Sequence, residues 1–271
     1  MVKIEFKRAF TSRTFFVALG ISVAICLWHY FEYIFPCVIH SSYLNIEPEN
    51  TFFPVISFNC WIGGSYVPVQ SFLYFLVLPL IATLPYGSSY VTDRKIGYVK
   101  QIYTRTKKRN YITAKYVAVF LSGAVAVTLP LLLNFYLTSM ALPSVMPDSA
   151  SGSSVVFSYS KWSEIFYTKP FVFELLYMLT AFVFSGLIAA SALIIGHFIN
   201  NKYIVVFAPM LLYVFLSSVA DITDFSKLDL MRIINPSQGY GDTLTVIIYA
   251  VVLFAATFIP FYLCEVKSDT L

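Results

Sequence analysis

Residues Val91–Lys115 read VTDRKIGYVKQIYTRTKKRNYITAK, and the rest of the chain is arranged around them. Eight of the eighteen Lys and Arg residues lie here: Arg94, Lys95, Lys100, Arg105, Lys107, Lys108, Arg109 and Lys115. Only Asp93 opposes them. A long apolar run flanks the stretch on each side. Lys and Arg collect on the cytoplasmic side of membrane proteins, because positive charge beside a span resists translocation. The stretch is therefore expected to be a cytoplasmic loop.

Ile96, Val99, Ile102 and Tyr103 recur within it at spacings of three and four. That places them on one stripe of a short helix, with Lys95, Lys100 and Arg105 elsewhere around it. Such a helix, held at the membrane by two spans, suits docking on a soluble partner. The competing reading is a basic loop that only sets topology and touches anionic headgroups.

Outward from the loop, the 271 residues are 58% hydrophobic and 12% charged, with a mean hydropathy of +0.75. A soluble domain carries about one quarter charged residues, so the composition predicts a polytopic, all-α membrane protein. The net charge of +4 serves topology; nothing forms the soluble basic face that nucleic acid would need. Residues 14–35 are too long for a signal-peptide core and are expected to stay as a first span.

About 20 apolar residues cross a hydrocarbon core of roughly 30 Å. Six segments meet that length: residues 14–35, 71–90, 112–142, 170–199, 203–220 and 243–264. Residues 1–13, MVKIEFKRAFTSR, place Val2, Phe6, Ala9 and Phe10 on one helical face, as in a helix lying in the cytoplasmic interface. Pro79 and Pro85 should kink the second span, and Pro130 the third. Ala118, Ser122 and Ala126, and the pairs Ser185/Ala189 and Gly186/Ala190, form small-residue faces for close helix packing. The first outside loop, 36–70, contains Glu47 and Glu49 but no Lys or Arg. Its aromatic stretch 51–69 is expected to pack at the outer membrane face. Residues 221–242 suggest one or two short interfacial helices, broken at Asn235-Pro236.

Charge tests this topology. The entry segment carries four Lys and Arg, the loop 91–111 and the start of the third span eight, the turn at Lys202 one and the tail one. Four fall outside: Lys161, Lys169, Lys227 and Arg232. That fourteen-to-four split puts both termini in the cytoplasm.

Little in the chain points to chemistry. There is no G-x-x-x-x-G-K-[ST] phosphate loop, no H-E-x-x-H and no G-x-S-x-G. His29, His40 and His197 are scattered, and no His/Cys cluster suggests a metal. No catalytic residue, cofactor or metal site is expected. Glu32 and Glu174 are the only acids in expected spans, and their places near span ends suggest interfacial exposure. Cys37 and Cys60 share the first outside loop, either as a disulfide or as two free thiols.

The order of a basic entry (KIEFKRAF), a span, a large outside loop, a second span, the charged loop and four more spans resembles the permease subunit of an ABC-2 type (type V exporter-like) ABC transporter. In that family an acidic-basic-x-x-Gly pattern opens the loop after span 2, and a Tyr/Ile-x-x-x-Lys pattern opens span 3. Asp93, Arg94, Gly97, Tyr111 and Lys115 match. The acid is Asp where Glu is common, and a Pro often found before the second basic cluster is missing. The resemblance implies a transport subunit of a bacterial plasma membrane, without enzymatic activity of its own. It would pair with a second copy or a paralogue and bind a separate ATPase subunit that holds ATP and Mg. Asp93, Arg94, Ile96, Gly97, Val99, Ile102 and Tyr103 would then form a coupling helix for that ATPase, residues 221–242 would be re-entrant, and the cargo would be a peptide, an antibiotic or a lipid-like molecule. The rival reading is a non-transporting scaffold or sensor that binds a soluble regulator through the basic loop.

Overall fold

The computed structural model describes residues 1–39, 55–65, 67–148, 156–223, 229–239 and 242–267. Every regular element among them is helical. Five helices are long and apolar enough to cross a membrane: Arg13–Ile39, Lys108–Ala141, Pro170–Phe198, Lys202–Ile222 and Thr243–Val266. The chain is thus a multi-pass membrane protein. Glu47, Glu49, Phe52, Phe53, His40 and Lys227 lie outside the described residues.

The chain opens with α1 (Val2–Phe10) and α2 (Arg13–His29), separated by the N-cap Ser12, whose hydroxyl accepts from the Phe15 amide. α2 runs on through a π-helical stretch, Tyr30–Ile34, into α3 (Phe35–Ile39). A short turn of helix, α4 (Ser57–Cys60), leads to α5 (Val69–Thr83). Two short helices follow, α6 (Ser89–Lys95) and α7 (Tyr98–Arg105), then the long α8 (Lys108–Ala141). The remaining elements are α9 (Ser163–Thr168), α10 (Pro170–Phe198), α11 (Lys202–Ile222), α12 (Leu230–Ile234) and α13 (Thr243–Lys267).

The second expected crossing is the one that falls short. α5 has 15 residues, about 22 Å at roughly 1.5 Å per residue, against a core of roughly 30 Å. It stops at Thr83 instead of running to Tyr90. Pro85 brings no N–H to the ladder, and the chain turns at Gly87, whose amide donates to the Thr83 carbonyl at 2.9 Å. A Cβ on Gly87 would sit 2.6 Å from that carbonyl and 3.1 Å from Ala192 Cβ, so glycine is what allows the turn to press on α10.

α10 is the hub, packing on α5, α8, α11 and α13, while α2 covers α5 and α8. The small-residue faces read from the sequence are the seam. Ala118, Ser122, Ala126, Ser185, Ala189 and Ala190 are all buried. A Cβ on Gly123 would meet Ala189 Cβ at 2.5 Å and the Ala82 carbonyl at 2.6 Å. Without bulky side chains, helices in lipid gain dispersion contact by bringing backbones together. α11 and α13 keep apolar outer faces, with Leu211, Phe215, Ile247 and Val251 exposed.

Both ends of the bundle are capped by short elements. At one end lie α1, α6 and α7, hereafter the basic end. At the other, residues 55–65 fold into the bundle: Phe58, Trp61 and Ile62 are buried, the Ser57 amide donates to the Pro143 carbonyl at 3.1 Å, and the Ile62 amide to Asn134 Oδ1 at 2.9 Å. α12 and the short turn Pro236–Gln238 bury Leu230, Ile233 and Ile234, so residues 229–239 form the expected broken helices. Cys37 and Cys60 are free thiols. They belong to one small cluster with Ile34 and Leu142, but Cys37 Sγ turns back to donate to the Tyr33 carbonyl at 3.2 Å.

Candidate functional site

The basic end holds a buried ion network that the sequence reading treated as surface charge. α1 turns a mixed face to the bundle, with Phe10 packed against the main core beside a buried carboxylate. Its buried residues are Glu5 and Ala9, whereas Val2 is exposed. Glu5 faces inward because partners wait there. Its carboxylate accepts from Arg8 Nη1 at 3.0 Å, from the Tyr86 hydroxyl at 2.8 Å and from Lys115 Nζ at 3.2 Å.

Asp93, on α6, is the second centre. It accepts from both Arg8 nitrogens, at 3.1 and 2.5 Å, from Lys115 Nζ at 2.6 Å and from the Tyr111 hydroxyl at 3.2 Å. Lys115 and Asp93 have no exposed side-chain surface. Lys115 Nζ also lies 4.2 Å from the Tyr86 ring centroid, and the Arg8 guanidinium lies 4.5 Å above Tyr98. Two acids and two bases cancel, and each carboxylate has three donors. That is the condition under which buried charges escape a large desolvation cost. Burial alone would push the Asp93 carboxyl up, but the hydrogen bond from Arg8 and the charge of Lys115 bring it below the usual range. Burial likewise works against the Arg8 charge, and Asp93 more than restores it.

A second knot ties the same hairpin to the other side of the bundle. Glu265 on α13 accepts from the hydroxyls of Tyr90 and Tyr103, the latter at 3.3 Å, and meets His197 Nδ1 at 2.6 Å. Arg94 Nη1 donates to the His197 carbonyl at 2.8 Å. The α6–α7 hairpin is therefore fixed to α1 and α8 through Asp93, and to α10 and α13 through Arg94, Tyr90 and Tyr103. Gly97 makes the bend between α6 and α7 with φ of 73°, a region that costs side-chain-bearing residues about 1 kcal/mol or more.

The expected coupling residues divide between two surfaces. Asp93 is internal. Val99 and Ile102 are 4% and 7% exposed and belong to the main core cluster, so they face this chain and not a partner. Tyr103 is half-buried and engaged with Glu265. Ile96 is 65% exposed, and with Arg94, Lys95, Lys100, Gln101 and Arg105 it forms the outward face. Of the expected stripe, Val99, Ile102 and Tyr103 share the inner face of α7, whereas Ile96 lies before Gly97, outside that helix, and is exposed. A spacing of three and four shows that residues share a face, not which protein covers it. Glu5, Tyr86, Tyr90, His197 and Glu265 were missed. The available signal was Glu5 set three residues before Arg8 in an otherwise basic entry helix.

The far end differs. Glu174 is 1% exposed, not interfacial as expected, and neither carboxylate oxygen has a hydrogen-bond partner. The Trp61 indole N–H faces it without reaching hydrogen-bond geometry, and the Tyr177 hydroxyl is also unpartnered. Glu32 is exposed and accepts from Gln70 Nε2 at 2.7 Å. Lys161 is buried, with Nζ 3.1 Å from the Ile233 carbonyl and 4.5 Å from the ring centroids of Trp162 and Tyr177. Burial pushes its amine down to about 7.

No group of His, Cys, Asp and Glu among the described residues has metal-binding geometry. No protein-family model, curated protein or solved structure matches the chain.

Proposed function

We propose that this chain is the membrane-spanning subunit of an ATP-driven exporter, similar in plan to the ABC-2 type permeases. It works in a bacterial plasma membrane with a separate ATPase subunit. Both termini and the α6–α7 hairpin face the cytoplasm, and α5 with the turn after it serves as the sixth crossing. The observation that carries the reading is the hairpin's two-sided construction. Its outer face, with Lys95, Ile96, Lys100 and Arg105, is exposed and basic. Its inner face is tied by charge-assisted hydrogen bonds to α1, α8, α10 and α13. A push on such a piece moves four helices together. Charge-assisted bonds hold geometry better than apolar contact alone, and rigid-body displacement of packed helices is a known way to switch access. The chain carries no phosphate loop, so the energy comes from the partner. The cargo class, a peptide, antibiotic or lipid-like molecule, and pairing with a second copy or paralogue are part of the same proposal.

The test is purification from the native membrane in mild detergent. An ATP-hydrolysing subunit should co-purify, and Ile96→Asp combined with Lys100→Glu should release it while the melting temperature of the chain stays unchanged. Capture that survives this double substitution, or a preparation without any nucleotide-hydrolysing subunit, overturns the reading. Capture of a soluble protein that hydrolyses no nucleotide would favour the scaffold or sensor.

A further inference from the structure

Between α8, α10 and α13 lies a groove of about 680 Å³ that plays no part in the ion network. Its walls include Thr113, Val117 and Leu121 of α8, Leu187 of α10, and Phe254 and Phe258 of α13. Phe254 and Phe258 stack with centroids 5.4 Å apart, and Tyr116 sets its edge against Phe258 at 5.0 Å. The polar atoms at hand are already engaged. The Tyr116 hydroxyl lies 2.8 Å from Thr257 Oγ1, and the Thr113 hydroxyl donates to the Arg109 carbonyl at 2.9 Å. Water finds little there to bond, so the groove suits hydrocarbon.

Its size and place narrow the occupant. From Thr113 to Leu121 is eight residues of helix, about 12 Å at roughly 1.5 Å per residue. One leaflet contributes about 15 Å of hydrocarbon. A helix about 10 Å wide over that length would displace roughly 900 Å³, more than the groove holds. An acyl chain is narrower. At the basic end, Lys107, Lys108 and Arg109 open α8, and Arg109 is exposed one turn before Thr113, where a headgroup would sit. We propose that this groove binds one anionic phospholipid from the leaflet at the basic end, with an acyl chain along α8 and the phosphate beside Arg109. The proposal requires membrane insertion but not the exporter reading.

The test loads delipidated protein from mixed micelles holding equal amounts of phosphatidylglycerol and phosphatidylethanolamine, then counts bound lipid by native mass spectrometry. Wild type should retain one phosphatidylglycerol per chain in preference to phosphatidylethanolamine. Ala250→Phe and Val251→Trp, which fill the groove from its open side, should each lower retained lipid at least tenfold with unchanged melting. Arg109→Gln should reduce the preference for phosphatidylglycerol about fivefold, the worth of one charge near a headgroup, while total lipid stays. Lipid retention unaffected by both filling substitutions overturns the site. Equal retention of the two lipids in wild type overturns its anionic character. A change in dimer fraction without a change in lipid count assigns the face to a second copy and overturns the proposal.

Discussion

The two ends of the bundle bury charge in opposite ways. At the basic end, Glu5, Arg8, Asp93 and Lys115 balance, and Glu5 accepts three hydrogen bonds and Asp93 four. At the far end, Glu174 has neither a counter-charge nor a hydrogen bond, and Lys161 has one carbonyl and two aromatic faces. A satisfied network rigidifies the elements it joins. An unsatisfied one costs stability and persists only where the surrounding packing enforces it. The comparison marks the basic end as a stiff joint and the far end as the place where stability has been given up.

The largest effect should come from unbalancing the joint. Lys115→Met leaves two buried carboxylates with Arg8 alone. Losing one member of a buried ion network costs about 3–5 kcal/mol, to be read as a large drop in melting temperature in detergent. Lys107→Ala, at an exposed site, should stay within about 0.5 kcal/mol. Equal effects at the two positions would erase the contrast between buried and surface lysines.

The far end should respond with the opposite sign. Glu174→Met removes a polar group that nothing satisfies and replaces it with apolar atoms of similar volume. A gain of about 1–3 kcal/mol is expected, seen as a higher melting temperature. A loss would mean that Glu174 has a stabilising partner, and the ends would no longer differ in kind.

Lys161 sharpens the comparison through pH. Its amine titrates near 7 in the folded chain and near 10.4 unfolded. Between those values the unfolded chain binds the extra proton, so stability rises with pH, by up to about 1.4 kcal/mol per unit. Below about pH 7 both forms are protonated and the dependence vanishes. Melting followed from pH 7 to 9 should climb, and Lys161→Met should flatten that climb. Apart from the Lys107 control, the smallest expected change is Gly97→Ala, about 1 kcal/mol from the positive φ alone, measured by the same melting assay.

Much of the scaffold was legible in the sequence, because lipid demands long apolar helices and each announces itself. The expected spans 112–142, 170–199, 203–220 and 243–264 match α8, α10, α11 and α13 within a few residues. The small-residue seam was equally plain, since only close backbones favour those residue types. The end of the second helix was misplaced, at Tyr90 instead of Thr83, because the apolar run continues past Thr83. The turn there depends on contact between Gly87 and α10, which local sequence does not display. The joint was half legible. Asp93, Tyr111 and Lys115 stood out together by resemblance, and the structure joins them. Their role as an internal anchor was hidden, because a buried carboxylate and an exposed one share the same letter. Glu5 and Glu265 come from the two ends of the chain, and only the fold brings them to the same hairpin. Val99 and Ile102 show the same limit, since periodicity defined the stripe and packing chose its partner.

Asp93 and Lys115 bind the hairpin to the bundle as one unit. A double-mutant cycle of Asp93→Asn and Lys115→Met, read by equilibrium unfolding in detergent, tests it directly. Each single change should cost several kcal/mol. The double should cost clearly less than their sum, with a coupling energy of about 2 kcal/mol or more, within the range for contacting charged residues. Additive effects, with coupling under about 0.5 kcal/mol, would contradict it and leave the hairpin held by its other contacts.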